Sequence, residues 1–179
     1  MLIIYGIPNS QPVRAVLWPC LMKRLPFELR LTNQNRDAKT PDFLSDVNPR
    51  GTVPAIDDDG VVLWESHAIL VYLAEKHGWN DLWPIEPVSR AKVNQYLHFH
   101  HRNTRELVVP WSRAIWPTVF GVSTPDAEWL RNHTFAGLQN NESVCTQTLR
   151  IIDAMLARAP FLADQSAPTL ADVAAYEEL

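Results

Sequence analysis

Short apolar runs alternate with helix-spaced apolar residues along the first half of the chain. This pattern predicts four strands and two helices before residue 78, with a variable segment after the second strand. In chain order the predicted elements are strand 2–5, helix 11–24, strand 27–32, the variable segment 33–47, strands 53–56 and 61–64, and helix 66–77. The βαβ order followed by ββα predicts an α/β domain over residues 1–78.

A segment with two prolines separates this part from the rest of the chain. Gly78 is placed to stop the preceding helix, and Pro84 and Pro87 follow it, so we expect an interdomain linker over residues 79–87. Helical spacing dominates afterwards. It predicts helices over 88–107, 110–120, 126–139 and 142–158 and from 169 onward, and therefore an all-α C-terminal domain over residues 88–179.

Composition and charge exclude several classes of function. The chain has 179 residues, is 46% hydrophobic and carries a formal charge of −4, which offers no electrostatic footprint for nucleic acid or an anionic membrane. No apolar run approaches the roughly 18 residues that span a bilayer, and no signal-peptide pattern opens the chain. Cys20 and Cys145 are far apart in sequence, which argues against a disulfide scaffold. We expect a soluble, cytoplasmic protein without nucleic-acid or membrane partners, with Cys20 in the core.

A carboxylate and a hydroxyl stand together where helix 66–77 is predicted to begin. These are Glu65 and Ser66. The unpaired backbone N–H groups and the positive end of the helix dipole favour an anionic group at such a position, and the Glu carboxylate can take an ammonium beside it. An α-amino acid head group carries both charges, so this pair is a candidate site for one.

Several further motifs precede this helix in the sequence. Residues Asn48-Pro49-Arg50-Gly51 form a predicted turn, a Val53-Pro54 step follows, and the next strand ends in Asp59-Gly60, which is typical of a hairpin. At the start of the chain, Ser10 can cap a helix whose first turn accepts Pro12.

Together these motifs resemble the glutathione-binding half of the cytosolic glutathione transferases. The Val-Pro-Ala step, the Asp-Gly hairpin, the Glu-Ser pair and the Ala-Ile-Leu helix occur in one order within about thirty residues. The run Ser10-Gln11-Pro12-Val13-Arg14-Ala15-Val16 is similar to the catalytic serine region of the theta-type members. The resemblance covers residues 1–78 well and residues 88–179 loosely.

The resemblance implies a thioredoxin-like α/β N-terminal domain and an all-helical C-terminal domain. It also implies an enzyme of detoxification that joins the thiolate of glutathione, its co-substrate, to small hydrophobic electrophiles. Thr169 and Asp172 match the capping box of the superfamily's helical domain, which has a role in folding and not in catalysis. Because superfamily members usually continue for several more helices after this box, we expect the C-terminal domain here to be incomplete.

Ser10 is the catalytic candidate that the resemblance supplies. A thiol is mostly protonated near neutral pH, and a hydroxyl donor at a helix N-terminus stabilises the thiolate with a hydrogen bond and the dipole. The other interpretation of Ser10 is a plain N-cap, which stabilises a helix by about 1 kcal/mol. Tyr5 occupies the strand end from which other classes supply their hydroxyl, but here we expect it to be a packed strand residue.

Glutathione itself is expected along the Val-Pro turn and the helix start. The resemblance implies a cis peptide between Val53 and Pro54, which turns the N–H and C=O of Val53 toward the cysteinyl unit of the ligand in a strand-like pairing. Glu65 and Ser66 would then hold the γ-glutamyl end.

The glycine carboxylate of glutathione requires a cation, and the resemblance assigns this role to Lys39. Gln11 would add an amide contact beside Ser10. Thr52 is a departure from the family, which often has Lys there, so one anchor for a carboxylate is missing. Solvated loop positions are the alternative interpretation for Lys39 and Thr52.

The helical part is expected to hold the electrophile. His100 and Arg105 match positions that line this pocket in theta-type members, whereas Arg102 replaces an Asp that reaches the glutathione amine. Helical spacing over 88–107 would place His98, His101, Arg102 and Arg105 on one helix side. A metal site is not expected, because this spacing supplies two His ligands and no carboxylate that completes a set.

The resemblance further implies a homodimer, in which helix 66–77 of one subunit meets helix 88–107 of the other. Several aromatic and apolar residues lie near that seam, and they could instead fill the space between the two domains of one subunit. They are Trp79, Leu82, Trp83, Tyr96 and Phe99.

Two other functions are alternatives to this interpretation. One is a non-catalytic interaction or scaffold domain, similar to the transferase-like domains of translation elongation factor complexes, which the departures at Thr52 and Arg102 favour. The other is thiol–disulfide exchange, which is disfavoured because Ser10 cannot form a mixed disulfide.

Overall fold

The computed structural model describes residues 1–107 and 142–178, and the side chains from residue 146 onward in the second range. The chain divides into two compact units, Met1–Ile85 and Glu86–Leu179. The predicted helices over 110–120 and 126–139 lie outside the described residues.

The first unit is built on a sheet of four strands. These are β1 (Leu2–Gly6), β2 (Phe27–Leu31), β3 (Ala55–Asp58) and β4 (Val61–Trp64), arranged in the order β2-β1-β3-β4. Strand β1 runs parallel to β2 and antiparallel to β3, and β3 pairs with β4 as an antiparallel hairpin. This mixed sheet confirms the thioredoxin-like arrangement, and each predicted strand is present to within two residues at either end.

Three helices accompany the sheet. They are α1 (Gln11–Met22), α2 (Pro41–Asp46) and α3 (Ser66–His77), with a 3-10 turn over Asp37–Lys39. Helix α2 falls in the segment for which the sequence predicted no element, and it begins where the Thr40 hydroxyl accepts a bond from the Phe43 N–H. Gly6 allows α1 to approach β1 closely, because a Cβ on Gly6 would lie 2.5 Å from Cγ2 of Val13.

Helices α1 and α3 end in the same hydrogen-bonding motif but with different residues. After α3, Gly78 has a φ of 65° and the N–H of Trp79 donates to Ala74 O at 2.9 Å. After α1, Arg24 has a φ of 53° and the N–H of Leu25 donates to Cys20 O at 2.8 Å. Both are Schellman closures, in which a left-handed residue lets the chain satisfy the last carbonyls. The stop at Gly78 is as predicted, whereas α1 ends two residues earlier than predicted.

Residues 79–85, which follow α3, belong to the first unit. The indole N–H of Trp83 donates to a carboxylate oxygen of Glu75 at 3.0 Å, and Lys23 pairs with Asp81 at 2.5 Å. Trp79, Leu82 and Trp83 are buried within the single chain. Cys20 is also buried, as expected, and burial raises the pKa of its thiol to about 12.

In the second unit the described helices are α4 (Pro87–His100), α5 (Glu142–Leu156) and α6 (Leu170–Tyr176). The carboxylate of Glu86 caps α4 by accepting bonds from the N–H groups of Val88 and Ser89. Helix α6 packs against α4 and begins with the predicted capping box, since Asp172 accepts a bond from the Thr169 N–H at 2.8 Å. Among the described helices, none is long and apolar enough to cross a membrane.

The prediction that α4 continues to residue 107 is wrong. The helix ends at His100, and a 3-10 turn over Thr104–Leu107 follows. Asn103 is one cause, because its side-chain amide donates to Phe99 O at 2.8 Å and occupies a carbonyl of the last helical turn. The break also removes the predicted common helix side of His98, His101, Arg102 and Arg105, because the last three lie after the end of the helix.

Candidate functional site

The strand register brings three of the predicted segments to one end of the sheet. Ala55 pairs with Tyr5 on one side and with Trp64 on the other. The loop leaving β1 toward Ser10, the step that leads into β3, and the residues that follow β4 therefore meet at this end. The site in the first unit is built from these loops rather than from the strands.

Ser10 lies at the N-terminus of α1 and does not cap it with its side chain. Its backbone is extended, with φ −83° and ψ 121°, and its C=O accepts a bond from the Arg14 N–H at 3.0 Å. The hydroxyl makes no hydrogen bond to the helix. A plain N-cap side chain would accept a bond from the helix, so this interpretation of Ser10 lacks its defining contact.

Gln11 is the first residue of α1 and is half-buried. Its side-chain oxygen Oε1 is buried and accepts no hydrogen bond from the part of the chain that the structure describes. Since buried polar atoms are nearly always paired, this oxygen is suited to accept a bond from a ligand donor.

Val53 and Pro54 are buried and are joined by the cis peptide bond that the resemblance implied. Within residues 1–107 and 142–178, neither the N–H nor the C=O of Val53 pairs with another backbone group. Regular pairing in β3 begins only at Ala55. The backbone of Val53 can therefore pair with an extended peptide as a strand would.

Glu65 and Ser66 form the start of α3. Glu65 has φ 73° and ψ 111°, a conformation that residues with a side chain rarely adopt, and its own side chain does not cap the helix. Its C=O accepts the first helical bond, from the Ile69 N–H at 3.0 Å. Rare backbone conformations of this kind concentrate at binding and catalytic sites, where the surrounding structure enforces them.

Lys39 reaches the loop that leads to Val53. Its ammonium donates to the backbone carbonyl of Gly51 at 2.6 Å and lies 3.5 Å from that of Arg50. A lysine ammonium has three donors, so one is left for another acceptor. Lys39 is thus anchored to the loop although it is exposed, whereas the hydroxyl of Thr52 accepts a bond from Asn48 at 3.1 Å.

Tyr5 packs on the sheet, as expected. Its ring lies edge-on to Phe43, with 5.8 Å between centroids, and its hydroxyl accepts a bond from the Arg30 guanidinium at 3.2 Å. The guanidinium also lies 5.6 Å from the ring centroid. The Tyr5 hydroxyl is therefore engaged by Arg30.

The two electrophile-site candidates are engaged within the second unit. His100 is 5% exposed, and its Nε2 lies 3.1 Å from the carbonyl oxygen of Ala174. Because a carbonyl only accepts, Nε2 carries the proton in this contact. Burial lowers the pKa of His100 to about 4. Arg105 forms an ion pair with Glu178, while Arg102 is exposed.

The sequence predicts Asn48 only as part of a turn, yet its side chain holds the loop before Val53 together. Asn48 is fully buried, and it bonds to Arg50 and Thr52. The signal was present in the sequence, since Asn at the first position, Pro at the second and Gly at the fourth are typical of a type I turn. Across the described part of the chain, no group of three or more His, Cys, Asp or Glu could hold a metal ion.

Comparisons with known proteins agree with this geometry. The family model described as the glutathione S-transferase N-terminal domain matches residues 4–81. Glutathione S-transferase theta-2 of Rattus norvegicus is 34% identical over 173 residues, covering 95% of this chain and 67% of the relative. The theta-1 protein of the same organism is 33% identical and covers 95% and 68%.

Solved structures show the same likeness. Human glutathione transferase theta-2, in complex with glutathione and an unknown ligand, has a TM-score of 0.82 and 31% identity, covering 100% of this chain and 71% of the other. An epsilon-class glutathione S-transferase from housefly, Musca domestica, has a TM-score of 0.78 and 27% identity, covering 99% and 76%.

Proposed function

The chain belongs to the glutathione S-transferase family, among its theta-like members, and we propose that Ser10 is the residue that activates glutathione in it. The protein is a glutathione transferase, and glutathione is its co-substrate. In this reaction the thiolate sulfur attacks an electrophilic carbon, the carbon–sulfur bond forms, and the leaving group departs with its electron pair.

The observation that carries the proposal is the uncapped position of Ser10 at the N-terminus of α1. Its hydroxyl does not bond to the helix, so it can donate to a sulfur placed at the same helix end. The positive end of the helix dipole adds to that stabilisation. Both effects favour the thiolate over the thiol, and a larger thiolate fraction speeds the attack.

The proposed placement of glutathione follows the three loops at this end of the sheet. Ser66 at the start of α3 receives the γ-glutamyl carboxylate, and the Glu65 carboxylate takes the ammonium beside it. The cysteinyl unit pairs with the backbone of Val53, which follows the turn held by the buried Asn48 and precedes Pro54. What supports this pairing is the absence of a backbone partner for Val53 among the described residues.

Lys39 and Gln11 complete the proposed binding set. Lys39 holds the glycine carboxylate through the ammonium proton that its two loop contacts leave over. Gln11 accepts a hydrogen bond through Oε1, whose burial would otherwise be uncompensated. For the electrophile, His100 and Arg105 are weaker candidates, because their contacts with Ala174 and Glu178 already engage them.

A homodimer is proposed as well, from family membership. The single chain has a mass of 20.4 kDa. Light scattering at micromolar concentration should therefore give about twice that mass. A mass equal to that of one chain would refute the dimer.

The test of the proposed function combines capture with turnover. The protein should be retained on immobilised glutathione and should convert a chromogenic aryl halide. Replacing Ser10 with Ala should raise the pKa of bound glutathione and lower kcat/KM by about 10- to 1,000-fold, the range for a lost charge-stabilising donor. Binding of glutathione should change much less.

Replacing Ser10 with Thr is the matched control, because the hydroxyl is kept. If the Ala variant turned over at the wild-type rate at pH 6.5, Ser10 would not be the activating residue. If the wild-type protein neither bound glutathione nor turned over the aryl halide, an interaction domain without catalysis would be the better description.

A further inference from the structure

The loop that precedes Val53 is held by one buried side chain. Asn48 is fully buried, and its Nδ2 donates to the carbonyl oxygen of Thr52 at 2.9 Å and to the Thr52 hydroxyl at 3.1 Å. Its Oδ1 accepts a bond from the Arg50 N–H at 2.9 Å, and its backbone C=O accepts one from the Gly51 N–H at 2.8 Å. Asn48 therefore has polar contacts with each of the residues 50, 51 and 52.

The bond to Thr52 also determines where Val53 points. The carbonyl of Thr52 and the N–H of Val53 belong to one planar peptide unit, which is trans. In a trans peptide the C=O and N–H point in opposite directions. Because Nδ2 of Asn48 holds the carbonyl on the buried side, the N–H of Val53 is directed away from Asn48. That N–H has no backbone partner among the residues described.

The same loop also holds Lys39, whose ammonium is the cation proposed for the site. The Lys39 ammonium donates to the Gly51 carbonyl, and the Gly51 N–H is bonded to Asn48. A loop that shifted when Asn48 was changed would displace both the Val53 N–H and the anchor of Lys39. Two proposed contacts with the tripeptide therefore depend on one fully buried side chain.

We propose that Asn48 is a positioning residue for glutathione, orienting the Thr52–Val53 peptide toward the cysteinyl unit and holding Lys39 at the glycine end. This inference rests on the proposed function of the site. It predicts a specific kinetic signature, because Asn48 acts on the binding of the tripeptide and not on the thiolate. The KM for glutathione should rise while kcat at saturating glutathione changes little.

The test replaces Asn48 with Asp, which keeps Oδ1 for Arg50 but presents an oxygen to the Thr52 carbonyl. We expect the Kd and KM for glutathione to rise by about tenfold or more, the effect of losing one well-placed hydrogen bond. The value of kcat should stay within about threefold of wild type. Thr52→Val is the matched control, because it removes the hydroxyl contact and keeps the carbonyl contact, and it should retain the wild-type Kd.

A second control distinguishes a role of Asn48 in glutathione binding from a general effect on stability. Asp172→Ala breaks the capping box of α6 in the other unit and should lower the melting temperature without changing the KM for glutathione. Wild-type affinity in a folded Asn48→Asp protein would overturn the proposal. Should that variant fail to fold, Asn48→Ser takes its place, and failure of both would assign Asn48 to folding instead. Absence of glutathione binding by the wild type would instead contradict the proposed function.

Discussion

The ammonium of Lys39 donates a hydrogen bond of 2.6 Å to the backbone carbonyl of Gly51. Lys39 ends the 3-10 turn before α2, whereas Gly51 lies in the loop that leads to Val53. The contact therefore joins the segment between β2 and β3 to the proposed site for the peptide ligand. Because Lys39 lies this close to Gly51, the position of Lys39 depends on the lack of a side chain at Gly51.

Gly51→Ala should weaken both stability and glutathione binding. Gly51 has a φ of 61°, and a Cβ there would lie 2.6 Å from Ala38 O and 2.9 Å from Nζ of Lys39. We expect a loss of about 1–3 kcal/mol in unfolding free energy from the strain, with glutathione affinity falling because Lys39 must move. Denaturation and calorimetry measure the two effects.

Gly60→Ala is the control for this prediction. Gly60 has a φ of 93°, yet nothing lies within 4 Å of the position of a Cβ. The variant should lose stability through its backbone and keep its affinity for glutathione. Equal loss of affinity in both variants would contradict the role given to Lys39.

Glu65→Ala should weaken glutathione binding by about 1.5–3 kcal/mol, because a charge-assisted contact with the ligand ammonium is lost. Glu65→Gly should weaken binding equally but be more stable than the Ala variant, since φ 73° suits glycine. Calorimetry and thermal melting separate these effects. Wild-type affinity in a folded Ala variant would refute the placement of the γ-glutamyl group.

Arg24→Gly should stabilise the protein by up to about 1 kcal/mol, because Arg24 closes α1 in the left-handed region with a φ of 53°. Relief of that backbone conformation is worth about 1–2 kcal/mol, and the greater freedom of glycine in the unfolded chain offsets roughly 0.5–1 kcal/mol of it. Gly78 already occupies the equivalent position after α3. Arg24→Ala removes the same charge but keeps the strained backbone, so it should bring no such gain. Chemical denaturation compares the three proteins, and an equal gain in both variants would point to charge instead.

Stability should fall with pH on the acid side because of His100. Burial lowers its pKa from 6.5 to about 4, so the folded state disfavours the protonated ring. As the pH falls below about 6.5, His100 takes up a proton in the unfolded chain but not in the folded one. The unfolded state is therefore favoured progressively, and the contribution of His100 to stability is lost between about pH 6.5 and pH 4. His100→Gln can still donate to the Ala174 carbonyl and should flatten this part of the profile, measured by denaturation between pH 7 and about pH 4. An unchanged slope would assign the acid loss to other groups.

Features governed by neighbours in sequence were predictable from the sequence by itself. The strands of the first unit, the stop of α3 at Gly78, and the capping box of Thr169 and Asp172 were predicted and are present. Each depends on hydrophobic spacing or on a bond between residues a few positions apart. Helix α2 was missed because six residues are too few to show helical spacing.

Contacts between distant residues were decided only by the tertiary structure. No spacing predicts that Lys39 meets Gly51, that His100 is buried against Ala174, or that Asn48 orients the peptide before Val53. The end of α4 at His100 also depends on packing. Helical spacing alone would continue the helix past His100, but the hydroxyls of Tyr96 and Thr104 form a buried hydrogen bond after the helix has ended. Local patterns determine which elements form, whereas side-chain partners depend on which elements the fold brings together.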